Sequence, residues 1–230
     1  MRKTSSYKTS FGKRSGEAGF SMLELVITIT VGLILTGMAI PKVTSLTRVY
    51  RSVGDARSLA EEVSLAKMRG PAFFTEARVY ADLSTNRYRV ETWSVPTGGS
   101  SKCWVTEGDT QCSSVYVSPN SPPSTLLLTT VTFGYGSVSG APSGTQSTIG
   151  QAPACQTDSE KTAGSAGDIS NSACVVFNSR GIPIDNTGAP TTSDALYVTD
   201  STSVYGVTVL ATGLIQTWRT GVSSGTWSNR

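Results

Sequence analysis

Residues 20–40 read FSMLELVITITVGLILTGMAI, an apolar run broken by one charge, Glu24, near its start. Pro41 closes the run. About twenty apolar residues is the length a helix needs to cross the hydrocarbon core of a bilayer. A carboxylate inside such a stretch is costly and calls for a partner or a purpose. The rest of the 230-residue chain has to be arranged around this segment.

The flanking charge sets the direction of the run. Residues 1–19 hold Arg2, Lys3, Lys8, Lys13 and Arg14 against a single acid, Glu17, a net charge of +4. Basic residues ahead of an apolar helix stay in the cytoplasm, so the remainder of the chain is sent outward. Composition alone leaves open an uncleaved anchor or conventional cleavage near Ala39, although Pro41 and Lys42 follow and no clear small-x-small site is present. The leader also carries the chain's basicity. The whole chain is +3, and subtracting +4 leaves −1 for residues 20–230. The basic pI is therefore no sign of nucleic-acid affinity. Residues 42–70 contribute six bases and three acids, and residues 71–230 eight bases and eleven acids.

Beyond Pro41 an amphipathic pattern takes over. Leu46, Val49, Val53, Ala56, Ala60 and Val63 recur at steps of three and four, with charged residues on the other faces. Gly70-Pro71 reads as the stop. A helix over residues 20–69 would be about 75 Å long. Pro41 should kink it or open a gap in its hydrogen bonding. From residue 71 the chain changes to short β-rich runs separated by Gly, Pro, Asn and Ser. The runs are Arg78–Val95, Ser114–Val117, Leu126–Tyr135, Ala173–Phe177, Leu196–Thr199, Val204–Leu210 and Leu214–Trp218. The Gly/Ser/Thr/Pro-rich segment Gly134–Asp168 reads as a long, partly flexible surface excursion.

The junction Gly19-Phe20-Ser21-Met22-Leu23-Glu24 resembles the prepilin cleavage motif of type IV pilins and type II secretion pseudopilins. The resemblance implies that a prepilin peptidase cuts between Gly19 and Phe20 and methylates the new N-terminus, Phe20. Glu24 then becomes the fifth mature residue, where the family carries a glutamate thought to meet the charged N-terminus of a neighbouring subunit. Pro41 falls where many members also have a proline. Asp55–Glu62, Val175–Gly181 and Val207–Gly213 resemble, more diffusely, the minor pilins and pseudopilins of the FimT/GspH type.

The implied architecture is an α+β, pilin-like fold, with a long N-terminal hydrophobic and amphipathic helix packed on an antiparallel β head. It divides the chain into a cleaved leader (1–19), a transmembrane and assembly half-helix (20–41), an amphipathic half-helix (42–70) and an extracytoplasmic β-rich head (71–230). The implied setting is a bacterial inner membrane, single-pass with the head in the periplasm, followed by incorporation into a pilus or pseudopilus. The implied partners are the prepilin peptidase, other pilin or pseudopilin subunits, an inner-membrane assembly platform and the lipid bilayer.

Four cysteines, Cys103, Cys112, Cys155 and Cys174, lie in the head, outside the cytoplasm, where disulfides persist. Three pairings exist, and proximity favours Cys103–Cys112 with Cys155–Cys174. The chain has no histidine, and the cysteine spacings do not suit zinc, so neither a metal nor another cofactor is expected. Histidine-dependent catalytic centres are excluded. Ser64-Leu65-Ala66-Lys67 matches Ser-x-x-Lys but sits on the amphipathic helix without Lys-Thr-Gly elsewhere. The expectation is a structural subunit and no enzyme. Two alternatives are a DNA-binding minor pilin, which would need Arg87, Arg89, Arg180, Arg219 and Arg230 gathered into a patch, and a membrane-tethered adhesin. DNA is not favoured, because the head is net acidic.

Overall fold

The computed structural model describes residues 21–106, 109–112, 124–128, 130–158, 167–185, 187–191 and 194–229. The leader, the Gly19–Phe20 junction, Arg230 and the run expected at 114–117 lie outside them. The described residues divide into two units, one up to Ser45 and one from Leu46 onward.

Helix α1 spans Met22–Phe73 and is assigned without a break through Pro41, which has no amide to donate. It ends later than the Gly70-Pro71 pair suggests. Pro71 has the helical φ the last turn needs, although without an amide it cannot give the Lys67 carbonyl the usual intrahelical bond. Phe74, at φ 51°, takes the left-handed position, and the Thr75 and Phe74 amides donate to the carbonyls of Gly70 (3.0 Å) and Pro71 (3.3 Å). That is a Schellman closure with phenylalanine where glycine is usual. Gly70 serves a different purpose: a Cβ there would stand 2.5 Å from the Asn178 carbonyl oxygen.

The strands are β1 (Ala77–Asp82), β2 (Arg87–Ser94), β3 (Cys103–Thr106), β4 (Thr125–Leu126), β5 (Thr132–Phe133), β6 (Ser172–Phe177), β7 (Pro183–Ile184), β8 (Asp194–Thr199), β9 (Ser203–Val209), β10 (Ile215–Gly221) and β11 (Ser228–Asn229). One sheet runs β3-β2-β1-β6-β7, with β4 beside β2, and the other β11-β10-β9-β8-β5. Every pairing is antiparallel. The run expected over 126–135 is instead two short strands in different sheets, because Leu127 and Val131 turn into the core between them.

One core joins three surfaces. Leu59, Val63 and Ala66 of the helix are fully buried against Val79, Ala81, Val175 and Phe177 of the first sheet and Leu196, Val198 and Val207 of the second. This is the α+β arrangement expected from the sequence: a long apolar and amphipathic helix whose later half packs on an antiparallel β head. Strand alternation sends the other side chains outward, where they are also covered. On the second sheet Ala195, Tyr197 and Val204 lie under Val138 and Ile149. On the first, Tyr80, Trp104, Cys174 and Val176 lie under Cys155.

Residues 134–158 are therefore not a loose excursion. They form a strap across the outer faces of both sheets, tied by the Ala152 amide to Ala195 (2.7 Å) and the Cys174 amide to Pro153 (2.8 Å). The Gln151 side chain bonds both the amide and the carbonyl of Tyr197, each at 2.8 Å, as a neighbouring strand would. Glycine, serine and proline dilute the few anchoring residues so far that no periodicity betrays them.

Candidate functional site

The helix segment Met22–Ile40 has a mean hydropathy of 2.2 and none of it is buried, so it is long and apolar enough to cross a membrane. Its polar side chains are compatible with lipid. The hydroxyls of Thr28, Thr30 and Thr36 donate back to the carbonyls of Leu25 (2.9 Å), Ile27 (2.9 Å) and Gly32 (2.7 Å). Glu24 stands in the first turn, at the electropositive end of the helix dipole. Among the described residues a Cβ at Gly32 or Gly37 would meet nothing within 4 Å, so the lack of a side chain there leaves room for a neighbour.

Where the helix meets the sheets, polar contacts fix it in place. The Ser52 hydroxyl lies 2.5 Å from Asp200, in the turn between β8 and β9. Burial pushes the Asp200 carboxyl up, but hydrogen bonds from Ser52, Thr202 and Ser203 outweigh it and hold it below the usual range. Asp55 accepts the Leu128 amide at 2.9 Å, and burial still holds its carboxyl above the usual range. Lys67 Nζ donates to the Gly213 carbonyl at 3.0 Å.

The two glycine turns singled out in the sequence converge on this same stretch of helix. Gly181 and Gly213 both have positive φ, 73° and 75°. A Cβ on Gly181 would come within 3.2 Å of the Lys67 carbonyl oxygen, and one on Gly213 within 3.0 Å of the Gly181 carbonyl oxygen. Ser-x-x-Lys is consumed by the same packing: Ser64 donates to the Ala60 carbonyl at 2.8 Å, and Lys67 is held by Gly213.

The disulfides are Cys103–Cys112 and Cys155–Cys174. The second pins the strap to β6, 19 residues further along the chain. Beneath the strap lies a charged cluster that sequence reading missed. Arg78, 2% exposed, pairs with fully buried Glu91 at 2.6 Å and gives a second hydrogen bond to the Gln156 carbonyl of the strap, also at 2.6 Å. Arg89 completes it, 2.7 Å from the other Glu91 oxygen and 4.0 Å over the Tyr80 ring. Trp104 stacks under Arg78 at 3.9 Å. The only hint in the sequence is that Arg78, Arg89 and Glu91 sit where alternation makes them share one face of the β1–β2 hairpin.

The arginines considered for DNA are dispersed in role. Arg89 is committed to Glu91 and Tyr80, Arg219 lies over the Tyr205 ring at 5.7 Å, and Arg87 reaches Ser124.

No protein-family model, no curated protein and no solved structure matches the chain. What stands is a membrane-anchored protein, with an N-terminal apolar helix joined to a disulfide-bonded β-sheet head.

Proposed function

We propose that the chain is a structural subunit, a minor pilin or pseudopilin, of a type IV pilus or type II secretion pseudopilus, and does no catalysis of its own. The observation that carries this reading is the division of labour along α1. An exposed apolar half carries one carboxylate in its first turn, and an amphipathic half packs one face into the head. A simple anchor has no use for the carboxylate. In this reading a prepilin peptidase of the bacterial inner membrane cuts between Gly19 and Phe20 on the cytoplasmic side and methylates Phe20. The head faces the periplasm, and an assembly platform lifts the subunit from the bilayer into the filament.

Glu24 meets the N-terminal ammonium of the adjacent subunit, which offsets the cost of placing either charge in an apolar bundle. Glu24→Ala should therefore reach the membrane, be processed to methylated Phe20 by intact mass, and keep a head with an unchanged melting profile. It should be depleted in the filament fraction relative to the membrane fraction at matched expression. Equal incorporation of wild type and variant sinks the role of Glu24, and a chain still beginning at Met1 beside an active peptidase sinks the processing. DNA binding gains no specific support from the positions of Arg87, Arg89 and Arg219.

A further inference from the structure

We propose that the end of the head where the helix enters it docks on anionic phospholipid headgroups of the bilayer that the helix spans. The proposal rests on the anchor reading of Met22–Ile40 and is independent of filament assembly.

Four exposed residues of α1 carry it. Leu46 and Tyr50 are 57% and 75% exposed, and one turn apart they lie on the same side of the helix. Arg48 is exposed on the opposite side of the helix, one turn before Ser52, and Arg51 is exposed about a quarter-turn round from Tyr50. Leu128, 43% exposed, is brought to this end by the bond from its amide to Asp55. The carboxylates nearby face inward. Asp55 is 8% exposed and turned to the Leu128 amide, and Asp200 is 3% exposed and turned to Ser52. The exposed collar of the helix at this level is thus apolar and aromatic on one side and basic on the others, the combination that settles at a membrane–water boundary.

Its partner follows from charge and from reach. Leu46 lies six positions beyond Ile40, so even a fully extended chain keeps it within about 22 Å of the end of the span. Basic residues beside an anchor are ordinarily kept on the cytoplasmic side. Here residues 42–51 carry three bases, Lys42, Arg48 and Arg51, and no acid on the opposite side. Guanidinium forks match lipid phosphates, and an anionic surface attracts each arginine nearby. Docking would hold the head against the membrane.

The test uses the full-length chain in lipid nanodiscs carrying brominated acyl chains, which quench indole fluorescence. Tyr50→Trp places an indole on the patch, and the unsubstituted chain supplies the background of the four native tryptophans. Discs of phosphatidylcholine alone are compared with discs containing one-third phosphatidylglycerol. Stronger quenching of the introduced indole is expected with phosphatidylglycerol. It should be lost at about 0.5 M salt, where the Debye length is only ~4 Å.

Adding Arg48→Gln and Arg51→Gln should lower the ratio of docked to undocked heads about fivefold for each arginine, about 25-fold together. Arg48→Lys with Arg51→Lys should restore most of it. Equal quenching in both lipids, or quenching indifferent to loss of both arginines, overturns the proposal. Quenching that follows the number of chains per disc instead of the anionic lipid assigns the surface to a second copy and overturns it too. A chain that does not co-elute with discs overturns the anchor reading and the proposal together. A chain that docks yet never enters filaments overturns only the filament reading.

Discussion

Asp194 offers the sharpest test of the energetics of the head. It opens β8, is 3% exposed, and faces the small space between the strap and β7 lined by Pro153, Ala154, Ile184 and Asp185. Burial first, and the charge of Asp185 second, push its carboxyl up from 3.8 to about 7, against the pull of a hydrogen bond with Thr191. The folded head therefore keeps a proton on Asp194 that the unfolded chain gives up near pH 4. Stability from this group is fully present below pH ~3.8, declines as the pH rises, and levels off above pH ~7. At about 1.36 kcal/mol for each pH unit between the two values, the ionised carboxylate costs the fold about 4 kcal/mol at pH 8.

Asp194→Asn keeps the shape and removes the ionisation. Thermal melts of the disulfide-intact full-length protein in a neutral detergent, with near-UV circular dichroism reporting the head, compare variant and wild type from pH 4 to pH 8. At pH 8 the variant should melt higher by roughly 8–16 °C, at 2–4 °C per kcal/mol for a domain of this size. At pH 4 the two should nearly coincide. Comparing each pair at one pH cancels the titration of the other carboxylates. A gain of the same size at both pH values, or a lower melting temperature for the variant at pH 8, refutes the reasoning.

Leu59→Ala removes a fully buried side chain at the meeting of helix and both sheets and should cost about 3 kcal/mol, read as a drop in urea midpoint with an unchanged slope. Asp200→Asn should cost about 1–3 kcal/mol near pH 7 by weakening the clamp on Ser52. Because the Asp200 carboxyl is held below its ordinary value, that cost should fade as the pH drops below about 4, which paired chemical melts would show. Replacing Cys155 and Cys174 together by alanine opens a 19-residue loop and should cost about 3 kcal/mol, with faster proteolysis within 134–158, where the strap is cut free. An unchanged protease pattern would count against the strap's dependence on that bond.

The elements that repeat a simple period are readable along the chain. Three-and-four spacing marks the helix from Leu46 to Val63, and β-rich runs mark β6, β8, β9 and β10, while the single run expected over Arg78–Val95 folds as two strands, β1 and β2, joined by a turn at 83–86. Strands of two residues, β4, β5, β7 and β11, hold too few positions to form a pattern. Their existence depends on a neighbour already in place. Gly70-Pro71 imitates a helix stop because a glycine needed for close approach to Asn178 has the same appearance in sequence as a glycine that ends a helix. Nothing near Arg78 and Glu91 in sequence announces the strap that buries them. The Gly/Ser-rich composition of that strap points to a loop, and only contact with both sheets turns it into a cover.

By itself the sequence determined that the chain has an apolar segment of membrane-spanning length with one carboxylate, followed by an amphipathic helix and a β-rich head. These are properties of composition and period, fixed by which side chains water rejects and how often they recur. The tertiary structure alone decided which of those surfaces stay open. Leu59 and Val63 vanish between two sheets, and Arg78 pairs with Glu91 beneath a strap. Leu46, Tyr50 and the whole of Met22–Ile40 remain uncovered. The physical reason is that burial belongs to pairs of surfaces. A helix face or sheet face states in sequence what it needs to cover, while its partner comes from a part of the chain tens of residues away.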